Sequence, residues 1–349
     1  HSINYYFGHG IMTKSMKYLY LLFFIISLFS CKQSINHVSI KSEWITNPLF
    51  AKGADPWITQ KDGIFYYCYS QNNGIHIRSG ATLSELQNAE ERIVWKAPDS
   101  TAYSREIWAP ELHWIDQRWY IYFAADDGAN LNHRMHILRS EDTSIESDFA
   151  YAGELTTPDD RWSIDGTIFS LADTLYFLWS GWEGDINVQQ NLYIAGMESP
   201  TKINSERTLI SSPEYEWEKR GSSETLPTIN EGPQILRRNG KLFIIYSASG
   251  SWSDYYCLGL IKFLGGNPLL KSSWQKKNIP VFEGNNCTIS PGHASFLTIN
   301  DQDYIFFHHA QYPGSGWKRA VSIQPFTWDQ TEPHFGSPLP DGSLVKIAY

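Results

Sequence analysis

The chain has 349 residues, 42% of them hydrophobic, 15% aromatic and only 19% charged, a balance that excludes intrinsic disorder and a charge-laced coiled coil. Its 28 Lys and Arg stand against 37 Asp and Glu, a formal charge of −9, so it lacks the basic footprint that neutralises a phosphate backbone, and nucleic acid is excluded as a partner. Such a length can hold about two domains or one large all-β fold.

Residues 1–31 read as an export leader. Lys14 and Lys17 form a basic segment, and Tyr18 to Phe29 is an uncharged apolar run of 12 residues, too short to span a membrane comfortably. The run ends in Leu28-Phe29-Ser30-Cys31, which resembles the lipobox of bacterial lipoproteins, whose cysteine is acylated. That resemblance implies an exported protein held to a bacterial membrane, periplasmic or at the cell surface, through a lipid anchor alone. The alternative is a hydrophobic helix buried in the fold. Residues ahead of Met12 read as upstream of the true start. Residues 32–43 follow as a short linker, and 44–349 as one folded domain. With Cys31 lipidated, Cys68, Cys257 and Cys287 remain, an odd number that implies no disulfide framework. Cys68 and Cys257 lie in apolar runs and read as small core residues.

Beyond the leader one pattern recurs five times: a small or turn-forming residue beside an acid or His, an alternating segment, a polar turn, then a dense aromatic and aliphatic run. The copies start at Ala54, Ala109, Ile164, Asn230 and Gly292, and their anchors are Asp55, Glu111, Asp165, Glu231 and His293, 54 to 66 residues apart. That period suits a propeller blade with loop insertions. The dipeptides Asp62-Gly63, Asp116-Gln117, Ala172-Asp173, Asn239-Gly240 and Asp301-Gln302 are expected to turn five β-hairpins. A third strand is expected from Gly74, His133, Gln190, Cys257 and Arg319. The fold expected is all-β, a five-bladed β-propeller whose first strands line a central channel. Hairpins of a β-sandwich with chance acids at strand starts are the competing reading.

In a propeller the anchors converge, and clustered carboxylates have their pKa values driven apart, one protonated while another stays ionised. Glycoside hydrolysis needs such a pair: an acid for the leaving oxygen and a base for water, about 6.5 to 9.5 Å apart when configuration inverts. The many Trp and Tyr supply flat surfaces for sugar rings.

The series ADPW, WAPELHWI, SIDGTIF, NEGPQIL and PGHASF resembles glycoside hydrolase family 43, five-bladed propellers that act by inversion on polysaccharides containing arabinose and xylose. The resemblance runs from about Asn47 to the RAVSIQPFTW segment. It implies that Asp55 is the general base, that Glu231 is the general acid, and that Asp165 orients the acid and adjusts its pKa. It makes Glu111 non-catalytic, pairing with a cation or supporting the site through another residue, although periodicity alone leaves it a candidate catalyst. His293 resembles a channel histidine that helps to hold a calcium or other ion, mostly through water; a hydrogen-bonded structural histidine is the equal alternative, because calcium prefers oxygen ligands. No cofactor is required for the chemistry. Trp57 and Trp108 are candidate sugar platforms, though core aromatics look the same in sequence. Arg319 resembles an arginine near the site in the family's last blade.

Other chemistries find no support. There is no C-x-x-C or H-E-x-x-H, no G-x-S-x-G, and neither a P-loop nor a dinucleotide fingerprint. His308-His309 reads as a partly buried pair bound to backbone. The run of WAPELHWI, LYIAGM, YSASGS and PGHASF looks most like the exo-acting arabinofuranosidases of the family, which release terminal α-L-arabinofuranosyl units from arabinan or arabinoxylan. A plant cell-wall oligosaccharide or polysaccharide is thus the expected partner. β-Xylosidase or endo-α-1,5-L-arabinanase is the runner-up, and a non-catalytic glycan-binding propeller is the alternative from another class.

Overall fold

The computed structural model describes residues 41–349. The expected leader, its lipobox Cys31 and the linker up to residue 40 lie outside the described residues. Within them the structure is all-β as expected, with one six-residue helix, Leu83–Asn88, and three short 3-10 turns. Among the described residues no helix is long and apolar enough to cross a membrane.

The hairpins form because five dipeptides satisfy the same backbone demand. A two-residue turn matching the strand twist needs positive φ at both positions. Asp62-Gly63, Asp116-Gln117, Ala172-Asp173 and Asn239-Gly240 all adopt it. In the fifth copy the turn is Asn300-Asp301, at φ 45° and 65°, and Gln302 already pairs with Ile299. This corrects the expected Asp301-Gln302 turn by one residue; Asn tolerates the left-handed region and supplies its first position.

Three antiparallel sheets are four-stranded: Trp57–Lys61, Ile64–Gln71, Gly74–Gly80 and Arg92–Lys96; Arg105–Ile115, Arg118–Asp126, Arg134–Ser140 and Phe149–Glu154; and Ile289–Ile299, Gln302–Ala310, Arg319–Trp328 and Pro333–His334. A nine-stranded sheet contains two further meanders. One is Ser163–Leu171, Thr174–Gly181, Gln189–Ser199 and Thr208–Ser211; the other is Thr228–Arg238, Lys241–Ala248, Cys257–Phe263 and Trp274–Lys276. A short parallel pairing of Gln189 and Gln190 with Thr228 and Ile229 joins them. Ser42–Thr46 pairs with Leu344–Ala348, so this strand starts inside the expected 32–43 linker.

Middle strands read as continuous apolar runs because both of their faces are buried. Tyr66 and Cys68 of the first meander share a core with Leu112 and Ile121 of the second. Tyr122 and Met135 share the next with Ile164 and Phe177, Leu178 and Ile194 the next with Ile244 and Tyr246, and Phe243 and Leu260 the next with Ile305 and Phe307. Phe306 and Val321 return to Ile58 and Phe65. Cys68 and Cys257 are buried free thiols, as expected of core residues, and Cys287 is an exposed one.

What positions the site is a backbone feature repeated at the start of each meander. Asp55, Ala109, Asp165, Gly232 and His293 all have positive φ, between 43° and 54°. In the last four a β-bulge accompanies it, breaking register between Trp108 and Glu111, Ile164 and Thr167, Glu231 and Gln234, and around His293. Bulges bend a strand and re-aim its side chains. On this frame the anchors are not equivalent, which corrects the sequence register: Glu231 stands one place before the bent residue, where Trp108 and Gly292 stand, and Glu111 two places after it, where Gln234 stands. Gly166, which follows Asp165, is required for space, since a Cβ there would lie 2.2 Å from the Phe177 ring.

Candidate active site

Three of the expected acids meet. Asp55 precedes the strand Trp57–Lys61, Asp165 lies on Ser163–Leu171 and Glu231 on Thr228–Arg238. His293 ties two of them together: its Nδ1 is 3.1 Å from Asp55 Oδ1 and 3.9 Å from Asp165 Oδ2. The same Oδ2 of Asp165 accepts the Gly232 N–H at 3.0 Å, which locks it to the residue beside Glu231. Arg319 approaches Asp55 Oδ1 at 3.5 Å and donates through Nη2 to the Ser251 carbonyl at 3.0 Å.

The charges follow from this geometry. Burial raises the Asp55 carboxyl, but the positive His293 and the hydrogen bond from it outweigh burial and hold Asp55 well below the usual carboxylate range. Burial alone would discharge His293, yet Asp55 and Asp165 push its pKa up to about 9, so it stands as an imidazolium between them. Glu231 is pushed up to about 8, first by burial and then by the charge of Asp165. Asp165 is itself raised, to about 6, by burial opposed by His293. The site therefore holds an ionised carboxylate, Asp55, and a protonated carboxylic acid, Glu231, at the same neutral pH, the separation that acid–base chemistry requires.

Glu111 lies apart from this set. Buried, it accepts a hydrogen bond from Gln234 and another from His113 Nε2 at 2.8 Å. It thus braces the strand that carries Glu231 through its bulge-equivalent partner Gln234, the supporting part the sequence reading gave it, with a neutral amide and a histidine as partners. Trp57 donates its indole N–H to the Leu112 carbonyl at 2.7 Å and packs against His113 with ring centres 4.6 Å apart. Trp108 stacks on His133 at 3.9 Å. Both rings are half-buried and each has a protein partner on one face. A cavity of about 360 Å³, in the size range of small-ligand sites, opens beside Asp55 between Gly53, Ala54, Tyr67, Ala109 and Pro110.

Two further residues, which the sequence reading did not place at the site, join it. His308 takes the Asp55 N–H on its Nδ1 at 3.0 Å, fixing the bent backbone of the acid. Burial, aided by Arg319, pushes it down to about 3, so it stays neutral. His309, its neighbour, bonds to Ser322 and the Ala310 carbonyl, so both histidines bond to backbone as expected of the pair, and both are fully rather than partly buried. Tyr256 donates its hydroxyl to Glu231 Oε1 at 2.8 Å. His308 carried a faint signal, because its strand pairs with the one that bears His293.

Among the described residues no group of three or more His, Cys, Asp or Glu side chains is placed to hold an ion directly, and calcium prefers oxygen ligands, so an ion beside His293 would be held mostly through water.

Residues 45–332 match the glycosyl hydrolases of family 43. An extracellular exo-α-(1→5)-L-arabinofuranosidase of Streptomyces avermitilis is 33% identical over 85% of this chain, and the chain spans 64% of its length, less than two thirds. A protein of the same description from Streptomyces chartreusis is 32% identical over 80% of this chain and 86% of its own. The crystal structure of an α-L-arabinofuranosidase from Lactobacillus brevis matches with a TM-score of 0.79 at 34% identity, over 85% of this chain and 98% of that one. On the family match and these relatives, the chain belongs to family 43 of the glycosyl hydrolases.

Proposed function

We propose that the protein is an inverting α-L-arabinofuranosidase that removes terminal α-L-arabinofuranosyl residues from arabinan or arabinoxylan. The observation that carries the reading is the paired state of the acids: Asp55 ionised against His293, and Glu231 protonated beside Asp165. In this reading Asp55 takes a proton from the water that attacks the anomeric carbon, while Glu231 gives its proton to the departing oxygen on the opposite face. Asp165 aims Glu231 through the Gly232 N–H and keeps its proton in place by charge. The names of the relatives above favour arabinose over xylose.

The five meanders, each sharing a core with the next and the last returning to the first, favour a five-bladed propeller with the acids at the inner strands. The leader and lipobox favour a protein exported and anchored to a bacterial membrane by lipid, where a plant polysaccharide is within reach.

The test is incubation with aryl α-L-arabinofuranoside and, separately, aryl β-D-xyloside, with the first-formed sugar anomer read by NMR. Arabinose released first as the β-anomer is the expected result. Xylose release alone overturns the substrate, an α-anomer first overturns inversion, and glycan binding without turnover overturns the hydrolase reading.

The pH profile tests the part given to Asp165. Glu231 keeps its proton below about 8, so activity is expected to be present below that pH and lost as pH rises through it. Asp165→Asn removes a negative charge that raises Glu231, so this basic limb is expected to move down by about one pH unit or more, with reduced kcat. A limb that stays in place or moves up contradicts the assignment.

A further inference from the structure

We propose that Tyr256 is a positioning residue for proton donation: its hydroxyl selects which oxygen of Glu231 carries the proton and stabilises the carboxylate left behind. The inference rests on the reading of Glu231 as the general acid.

Tyr256 is 1% exposed and immediately precedes the strand Cys257–Phe263. Its ring is clamped. One face stacks on His308 with centres 5.5 Å apart and planes 12° from parallel. The ring edge lies so near Gly292 that a Cβ there would fall 2.2 Å from it, which gives a reason for glycine at the place where Trp108 and Glu231 stand in other meanders. The Arg319 guanidinium lies 5.9 Å from the ring centre. A hydroxyl on so fixed a ring cannot follow a wandering carboxyl, so the 2.8 Å bond to Glu231 Oε1 holds Glu231 in one orientation.

Two consequences follow from the direction of the bond. Burial raises the phenol well above its ordinary range, so Tyr256 remains a donor at any assay pH. An oxygen that accepts from Tyr256 is the carbonyl oxygen of the acid, and the proton of Glu231 must then sit on Oε2. When that proton leaves, the neutral hydrogen bond at Oε1 becomes a bond to an anion, and such bonds are roughly twice as strong. An interaction that strengthens toward the transition state accelerates the step. The other charged groups facing Glu231 are Asp165, which raises it, and His293 and Arg319, which lower it as Tyr256 does.

The test is Tyr256→Phe, which keeps the ring and removes only the hydroxyl. Without it Glu231 holds its proton more tightly. On an alkyl or sugar arabinofuranoside, whose leaving group needs a proton, kcat is expected to fall about tenfold. On an activated dinitrophenyl arabinofuranoside it is expected to stay within about twofold, because that departure needs no acid catalysis. The basic limb is expected to move up by about one pH unit, opposite to Asp165→Asn. Loss of folded protein lowers the rate without moving the limb, so the limb reads the role directly. Tyr246→Phe is the control: its hydroxyl donates to Glu218 at 2.8 Å, in an equally buried bond outside this site, and its loss is expected to lower stability and leave the limb in place.

A limb of Tyr256→Phe that is unmoved or lower, or an equal loss on both leaving groups, overturns the inference. If this occurs while Glu231→Gln is inactive on the poor leaving group, Tyr256 alone fails. If Glu231→Gln retains full activity there, the reading of Glu231 as the acid falls, and the inference with it.

Discussion

Glu231→Gln is expected to lower kcat about 10²–10⁴-fold on substrates with poor leaving groups, and much less on a dinitrophenyl arabinofuranoside. The amide fills the same space and can still accept from Tyr256, but it has no proton to give. Stability is expected to respond in a way that a damaged fold would not. The Glu231 pKa rises from 4.5 to about 8 on folding, so between those values the native state holds a proton that the unfolded chain has released. The contribution of this group to stability is therefore full below 4.5 and declines as pH rises toward 8. Gln does not titrate, so urea unfolding of the variant should lose less stability over that range than the wild type. A variant that keeps kcat on poor leaving groups, or shows the wild-type pH slope, contradicts the assignment of this proton to Glu231.

Asp55→Asn is expected to lower kcat about 10²–10⁴-fold as well, but by a similar factor on poor and activated leaving groups, because every substrate needs its water deprotonated. A leaving-group series thus separates the two acids: the rate should depend more steeply on leaving-group pKa in Glu231→Gln and keep the wild-type slope in Asp55→Asn. The second expectation concerns His293. Asp55 is its nearest counter-charge, at 3.1 Å, and contributes most to raising it. In the variant the His293 ring should lose its proton below the value of about 9 that the pair sustains, read by NMR titration of the imidazole signals. An unchanged His293 titration would mean that Asp55 does not hold the charge.

Much of the frame is legible because its causes are local. Asn239-Gly240 and Asp62-Gly63 announce hairpins, since few dipeptides accept positive φ twice in succession. The run Phe65 to Tyr69 announces a buried strand, since only an interior tolerates so many apolar side chains together. The outer strands Trp274–Lys276 and Pro333–His334 carry no comparable signal: they are three and two residues long and obtain their shape from the strand beside them. The acids are legible as a set by motif; the periodicity places Glu111 and Glu231 in equivalent positions, the family resemblance alone sets Glu111 apart in the sequence, and the bulges give the structural reason.

The sequence by itself determined the all-β class, the five repeated hairpins, the family, and the candidates Asp55, Asp165, Glu231, His293 and Arg319. Each rests on short-range pattern: side-chain alternation, turn chemistry and motif. Only the tertiary structure decided how these groups are charged and who holds them. The Asp55 N–H meets His308 across 253 residues, Asp165 meets the Gly232 N–H across 67, and Tyr256 meets Glu231 across 25. A pKa is set by burial and by charges a few ångströms away in space, and distance in space is the quantity that a linear pattern does not carry.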